Sequence, residues 1–175
     1  MQVTSTTFLP LLAPAQEDPY GDPAAPVLDE FAGDLAVSYS FGPPYGERLV
    51  SWLDLDQLGL SRRVLQRRAA DNLDALAGAV RVHGRPPTLM LSFDGIESSL
   101  LLADGPWPRL ATSLPGDLVV GVPARDVVIV TGSQSPPGLD KAKRTVDRVF
   151  RAGDQHLLSR DLLVRRDGAW IPFKP

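Results

Sequence analysis

The chain has 175 residues, of which 43% are hydrophobic and 22% charged, and it contains no cysteine. This length is sufficient to bury a core without disulfides or metals, so folding requires no cofactor. The net charge of −3 favours neither nucleic acid nor an anionic membrane as a partner. The absence of cysteine removes thiolate metal sites and thiol nucleophiles.

The first 26 residues contain five prolines and no sustained hydrophobic period. This pattern predicts a flexible leader that is dispensable for folding, followed by one domain over residues 27–175. Residues 1–47 carry seven acidic and no basic residues, so the leader is also acidic. An Ala-Pro-Ala near the start suggests a signal peptide, but the positive n-region is missing, and no segment is long enough to span a membrane. We therefore expect a cytoplasmic protein.

The first half of the body alternates strand and helix patterns. Residues 34–41 and 48–53 are predicted to form a hairpin, and Ser61 is expected to cap a helix that ends near Gly78. A short strand over 79–83 precedes a second hairpin, 89–93 with 96–102. Asp94-Gly95 supplies its turn, because Asp-Gly between apolar runs is typical of a type I′ hairpin.

The central stretch is GDLVVGVPARDVVIVTG, residues 116–132. Two apolar, β-branched runs flank a polar turn, which predicts a buried hairpin in the middle of a sheet. The predicted turn is Pro123-Ala124-Arg125-Asp126, which displays a cation beside an anion. We expect these two charges to form a local ion pair or a binding site.

The remaining elements repeat this order. A short helix over 106–114 precedes the central hairpin, a helix with a stop at Gly153 follows it, and a hairpin turning at Asp167-Gly168 ends the chain. The sequence therefore predicts an α+β fold with a largely antiparallel sheet and helices on it. Two ββαββ repeats are possible, 33–95 and 116–173, with short chance similarity as the alternative.

Residues able to perform catalysis are few. His83 and His156 have no partner at metal-ligand spacing, so no metal site is predicted. If the protein is an enzyme, carboxylate and guanidinium chemistry from Glu97, Arg125 and Asp126 would have to carry the reaction. The alternative for these residues is structural, at the edge of one hairpin and in the turn of another.

The two longer helices have strongly basic outer faces. The candidate binding residues are Arg125, Asp126, Arg62, Arg67, Arg144 and Arg148. Acidic residues interrupt these faces and no aromatic platform is interleaved, so nucleic acid is not the expected partner. Asn72 falls on the apolar stripe of the first long helix, where a buried amide is expected to hold a loop or strand end.

Several motifs, in this order, resemble one family. They are Leu58-Gly59-Leu60-Ser61, Ala70-Asp71-Asn72-Leu73, Glu97-Ser98-Ser99-Leu100-Leu101-Leu102, Val122-Pro123-Ala124-Arg125-Asp126, Leu158-Ser159 and Asp167-Gly168-Ala169-Trp170. Together they resemble the DUF1444 (YtpQ-like, UPF0354) family of uncharacterised bacterial proteins over about residues 27–173. The resemblance implies a cytoplasmic α+β protein and transfers no catalytic residue.

Two classes of function remain open. The first is a non-catalytic binding or accessory module that engages a partner protein, with an immunity-type protein that neutralises a toxin as a variant. The second is an enzyme without metal or cysteine. The shortage of nucleophile-base pairs favours the binding module. The sequence does not indicate an oligomeric state.

Overall fold

The computed structural model of the protein describes residues 7–17 and 21–174, which form two antiparallel sheets and four α-helices. The predicted α+β class is confirmed. The strands are β1 (Thr7–Pro14), β2 (Asp29–Glu30), β3 (Leu35–Gly42), β4 (Arg48–Leu49), β5 (Arg81–Arg85), β6 (Thr88–Ser92), β7 (Leu118–Ala124), β8 (Val127–Gly132), β9 (Leu162–Arg166) and β10 (Ala169–Pro172). The helices are α1 (Trp52–Leu58), α2 (Arg62–Leu76), α3 (Trp107–Ala111) and α4 (Pro136–Ala152), with 3₁₀-helices at Ala77–Ala79 and Glu97–Leu102.

The smaller sheet has the order β1-β3-β2, with β4 also paired to β3. Strand β1 pairs with the whole of β3, from Thr7 opposite Gly42 to Pro14 opposite Leu35. Leu9 and Leu11 in this strand are fully buried. The prediction of a flexible leader over residues 1–26 is therefore wrong for β1, while residues 1–6 and 18–20 lie outside the described residues.

The larger sheet has the order β10-β9-β7-β8-β6-β5. The predicted central hairpin, β7 with β8, lies in its middle, and most of its side chains are buried. Its connection is shorter than predicted, because Pro123 and Ala124 belong to β7 and Arg125-Asp126 alone forms the turn. The register shifts between Gly121 and Ala124, which marks a bulge that precedes the turn.

The elements pack as four layers, in the order α2, smaller sheet, larger sheet, α4. Helix α2 buries Leu65 and Ala69 with Phe8 of the smaller sheet. Between the sheets lies the main core, where Trp107 packs against Trp170 with ring centroids 4.9 Å apart. Helix α4 covers the outer face of the larger sheet through Ala142, Val146 and their neighbours.

The predicted strand over 96–102 is a buried 3₁₀-helix instead. Asp94 and Gly95 do adopt the positive φ angles of a type I′ turn, 49° and 83°, but this turn leads into a helix. A short continuous apolar run does not distinguish a buried strand from a buried helical turn. The hairpin that uses β6 lies one element earlier, with β5, and Asp167-Gly168 does connect β9 to β10 as predicted.

The two segments proposed as repeats have different topologies. Strands β7 to β10 all belong to the larger sheet, whereas β3 and β4 lie in the smaller sheet and β5 and β6 in the larger one. The helix of the first segment packs on the smaller sheet, and that of the second on the larger. The prediction of two superposable ββαββ units is therefore wrong, and the similarity is one of short β motifs.

Candidate functional site

The Arg125-Asp126 turn lies where three segments of the chain meet. The backbone N–H of Arg125 donates to the carbonyl of His156 at 3.0 Å, and the Arg125 carbonyl accepts from Ser98 N–H, also at 3.0 Å. A two-residue turn anchored from both sides has little freedom. The tip of the central hairpin is thus a fixed junction between the 3₁₀-helix and the segment that follows α4.

The Arg125 side chain lies over Gly46, in the loop between β3 and β4. A Cβ atom built on Gly46 would come within 3.1 Å of the guanidinium carbon, so this glycine (φ 94°) makes room for the side chain. Burial lowers the pKa of Arg125, although the carboxylates of Asp126 and Asp154 act in the opposite direction. Its Nε is buried without a hydrogen-bond partner, and Arg125 forms no ion pair within the described residues. The predicted local pair with Asp126 is therefore not formed.

Glu97 is the buried carboxyl of this junction, with 7% of its surface exposed. One carboxylate oxygen, Oε1, accepts from Gly95 N–H at 3.2 Å, while Oε2 is buried without a partner. Burial raises the pKa of Glu97, and the negative charge of Asp126 raises it further. Hydrogen bonds from nearby backbone amides lower this pKa but do not outweigh burial. The carboxyl therefore braces the Asp94-Gly95 turn and remains incompletely satisfied.

Arg62 is part of a structural network. Its guanidinium pairs with Asp29 and lies 5.6 Å from the ring centre of Trp52. The Tyr39 hydroxyl donates to the same Asp29 carboxylate. Gln66 Nε2 also donates to this carboxylate at 2.9 Å. Burial raises the pKa of Asp29, but these hydrogen bonds outweigh it and leave the pKa below its usual value. The periodicity of α2 gave no sign of this network, because Asp29 comes from a distant two-residue strand.

Arg67, Arg144 and Arg148 are exposed on the helices, as their spacing predicted. Helix α4 has one buried and one charged side, since its own residues Ala142, Thr145 and Val146 are buried. Its exposed charges are Lys141, Lys143, Arg144, Arg148 and Arg151 against Asp140 and Asp147, five bases less two acids, a net +3. Within the described residues, none of these five bases takes part in an ion pair.

The surface of the described residues has several concave features. An apolar groove of about 500 Å³ is bordered by Tyr45, Leu76 and Phe93. A second cavity of about 490 Å³ lies near Asp74, Asp104 and Arg165. In the described part of the chain, no cluster of three or more acidic or histidine side chains is arranged to hold a metal ion, and no helix is long and apolar enough to cross a membrane.

This architecture defines an α+β protein with two stacked antiparallel sheets, a braced hairpin tip and a cationic outer helix. Comparison with curated proteins identifies its relatives. A UPF0354 protein of Listeria innocua is 27% identical over 117 residues, which cover 65% of this chain and 44% of that protein. UPF0354 proteins of Bacillus cytotoxicus and Staphylococcus aureus are 23% and 22% identical, over 84% and 86% of the chain.

These matches confirm the resemblance to the UPF0354 family that the sequence motifs indicated. The chain spans about half of the length of the curated relatives that it matches. No family model matches the chain, and no solved structure matches it. The family name states no activity, so it assigns no role to Glu97, Arg125 or Asp126.

Proposed function

We propose that the protein is a non-catalytic binding module that presents the outer face of α4 to an acidic surface of a partner protein. The observation that supports this most directly is that five exposed bases without an ion pair in the described residues are gathered on one helix. Arg48, Arg62, Arg165 and Arg166 each pair with a carboxylate of the same chain. The cations of α4 are left for an external partner. A cytoplasmic location is part of the same proposal.

The geometry of α4 suits such a contact. Lys141, Arg144, Arg148 and Arg151 recur at three- and four-residue intervals, which places them along one side of the helix. Arginine presents a planar fork of donors that matches a carboxylate in two-point contacts. Unpaired exposed charges add little stability to the protein itself, but they accelerate and orient association with an oppositely charged surface. Binding through this face will weaken as salt is added.

The Arg125-Asp126 turn has an architectural role in this proposal. Its backbone joins the central hairpin to Ser98 and His156, and the Arg125 side chain fills the space above Gly46. These contacts are internal to the chain. The turn therefore supports the fold on which the binding face is carried.

The test uses charge reversal on two helices. Tagged wild-type protein is used to capture partners from the native host; the partner is then identified by mass spectrometry, purified and titrated at several salt concentrations. The R144E/R148E variant on α4 should lose most of the affinity. R67E/R68E on α2 is the matched control, because it reverses two exposed arginines of the other long helix and should bind as wild type does.

Equal affinity of both variants for the purified partner would rule out the α4 face. Capture of nucleic acid in place of a protein would overturn the class of partner. An immunity-type role is the special case in which the purified partner is a toxin whose activity falls on binding.

A carboxylate-based enzyme is the second candidate, favoured by the incompletely satisfied carboxyl of Glu97, which lies close enough to Asp126 for that charge to raise its pKa further. It would replace the binding module if purified protein turned over a small molecule. Glu97→Gln or Arg125→Ala would then have to abolish turnover while circular dichroism showed an intact fold.

A further inference from the structure

Strand β5 is an edge strand with all five of its residues exposed. In the described part of the chain, β6 is its one hydrogen-bonded neighbour. A strand in this position leaves half of its backbone N–H and C=O groups directed away from the sheet, where another extended chain can pair with them.

The side chains of β5 make this edge basic. Arg81, His83 and Arg85 occupy alternate positions, so they lie on one face of the strand. His83 is opposite Met90, which packs against the cluster beneath α4. Directly opposite residues of an antiparallel pair share a face, so the basic face of β5 is on the α4 side of the sheet. The start of α4 is also close to the β5–β6 turn, since a Cβ on Gly138 would lie 3.0 Å from the Pro87 carbonyl.

These charges discriminate between possible occupants of the edge. In a second copy paired antiparallel about His83, Arg81 would lie opposite Arg85, and like charges in that position are destabilising. A strand with acidic residues at alternate positions would instead place opposite charges across the pair, which is favourable.

We infer that β5 binds an extended acidic segment of a protein as an added strand, with its acidic side chains opposite Arg81, His83 and Arg85. The inference rests on the proposed function, because it identifies the part of the same partner that lies beside α4. Backbone hydrogen bonds supply affinity in such a contact, and the alternating charges supply specificity and register. From Arg81 to Arg85 the contact is about 13 Å long, so a segment of about five residues is sufficient.

The test uses a fluorescein-labelled peptide of alternating glutamate and threonine, about ten residues long, at low salt. A peptide of alternating glutamine and threonine is the uncharged control. Fluorescence anisotropy should show that the acidic peptide binds and that the uncharged control does not. The R81E/R85E substitutions should lower the affinity for the acidic peptide by about tenfold or more. Hydrogen exchange should slow across residues 81–85 when the acidic peptide is bound, because added-strand pairing protects backbone amides.

The two proposals fail in different ways. The β5 inference is overturned if R144E/R148E abolishes peptide binding, R81E/R85E binds the peptide as wild type does, and the peptide leaves hydrogen exchange at β5 unchanged. That combination of results would retain the α4 face. Full-length partner that binds R144E/R148E as tightly as wild type overturns the proposed function. A single-stranded DNA oligonucleotide that competes for β5 and outbinds the acidic peptide overturns the assignment to a protein segment.

Discussion

Strand β1 and the central hairpin bury similar side chains, but the sequence pattern predicts strands for the central hairpin and a flexible leader for β1. The central hairpin consists of uninterrupted β-branched runs and lies mid-sheet. Strand β1 reads TFLPLLAP, with prolines at positions 10 and 14, and lies at an edge of the smaller sheet. An edge strand tolerates proline because an N–H that faces away from the sheet has no ladder bond to lose. Proline therefore reports where a strand lies in its sheet as much as whether a strand forms.

The comparison predicts that β1 contributes as much to stability as the central hairpin does. Leu11 in β1 and Ile129 in β8 are 0% and 1% exposed. Replacing either with alanine removes buried apolar volume and should cost about 2–5 kcal/mol in the free energy of unfolding. Urea denaturation of the two variants measures this directly. If Leu11→Ala left the unfolding midpoint unchanged while Ile129→Ala lowered it, β1 would be peripheral after all.

A smaller effect is expected at the contact that holds β1 to α2. Asn72 Nδ2 donates to the Phe8 carbonyl at 3.0 Å, which is the structural role that its place on the apolar stripe predicted. Asn72→Ala leaves that carbonyl without its partner and should cost about 1–3 kcal/mol. The exposed neighbour Asp71→Ala is the control and should change the free energy of unfolding little. Equal stability of both variants would show that water replaces the amide at no cost.

The smallest effect concerns the hairpin tip and depends on pH. Because burial raises the pKa of Glu97 above its ordinary value of 4.5, the folded protein holds this proton more tightly than the unfolded chain does. The neutral carboxyl therefore stabilises the fold at low pH, and this contribution is lost as pH rises through the folded-state pKa. Glu97→Gln mimics the neutral form, so it should gain stability relative to wild type as pH rises. Denaturation from about pH 4 to about pH 7 measures the trend.

Exposed Glu47→Gln serves as the control for that series, since it removes a nearby carboxyl without touching the junction. A difference between wild type and Glu97→Gln that stayed constant across the pH range would refute the assignment of a raised pKa.

Local pattern was sufficient where an element is defined by its own residues. The Ser61 cap, the Gly153 stop and the Asp167-Gly168 hairpin all arise from local residue chemistry, and the structure contains each of them. The Asp94-Gly95 turn has the predicted backbone angles, but the chain beyond it packs as a helix between the sheets. The element after a turn depends on distant packing partners, which a local motif does not specify.

The same distinction applies to the candidate site. The exposed bases of α4 were predictable from helical spacing, because an amphipathic helix sorts its residues by itself. The engagement of Arg62 by Asp29, and the anchoring of Arg125 by Ser98 and His156, depend on segments far apart in sequence. The sequence pattern also did not predict that β5 is an edge strand, because the residues of a short strand do not show which other strands pair with it.

The place of β1 in the chain has a consequence during synthesis. The Ser99 hydroxyl donates to the Pro10 carbonyl at 2.9 Å across a separation of 89 residues, so this strand is made long before its full surroundings exist. At about 5–20 residues per second, the delay is roughly 4 to 18 s. During that interval Leu9 and Leu11 lack the larger-sheet residues with which they form the main core. An apolar segment that is exposed during synthesis is prone to aggregation. We therefore expect the yield of folded protein to depend on chaperones that bind the nascent chain.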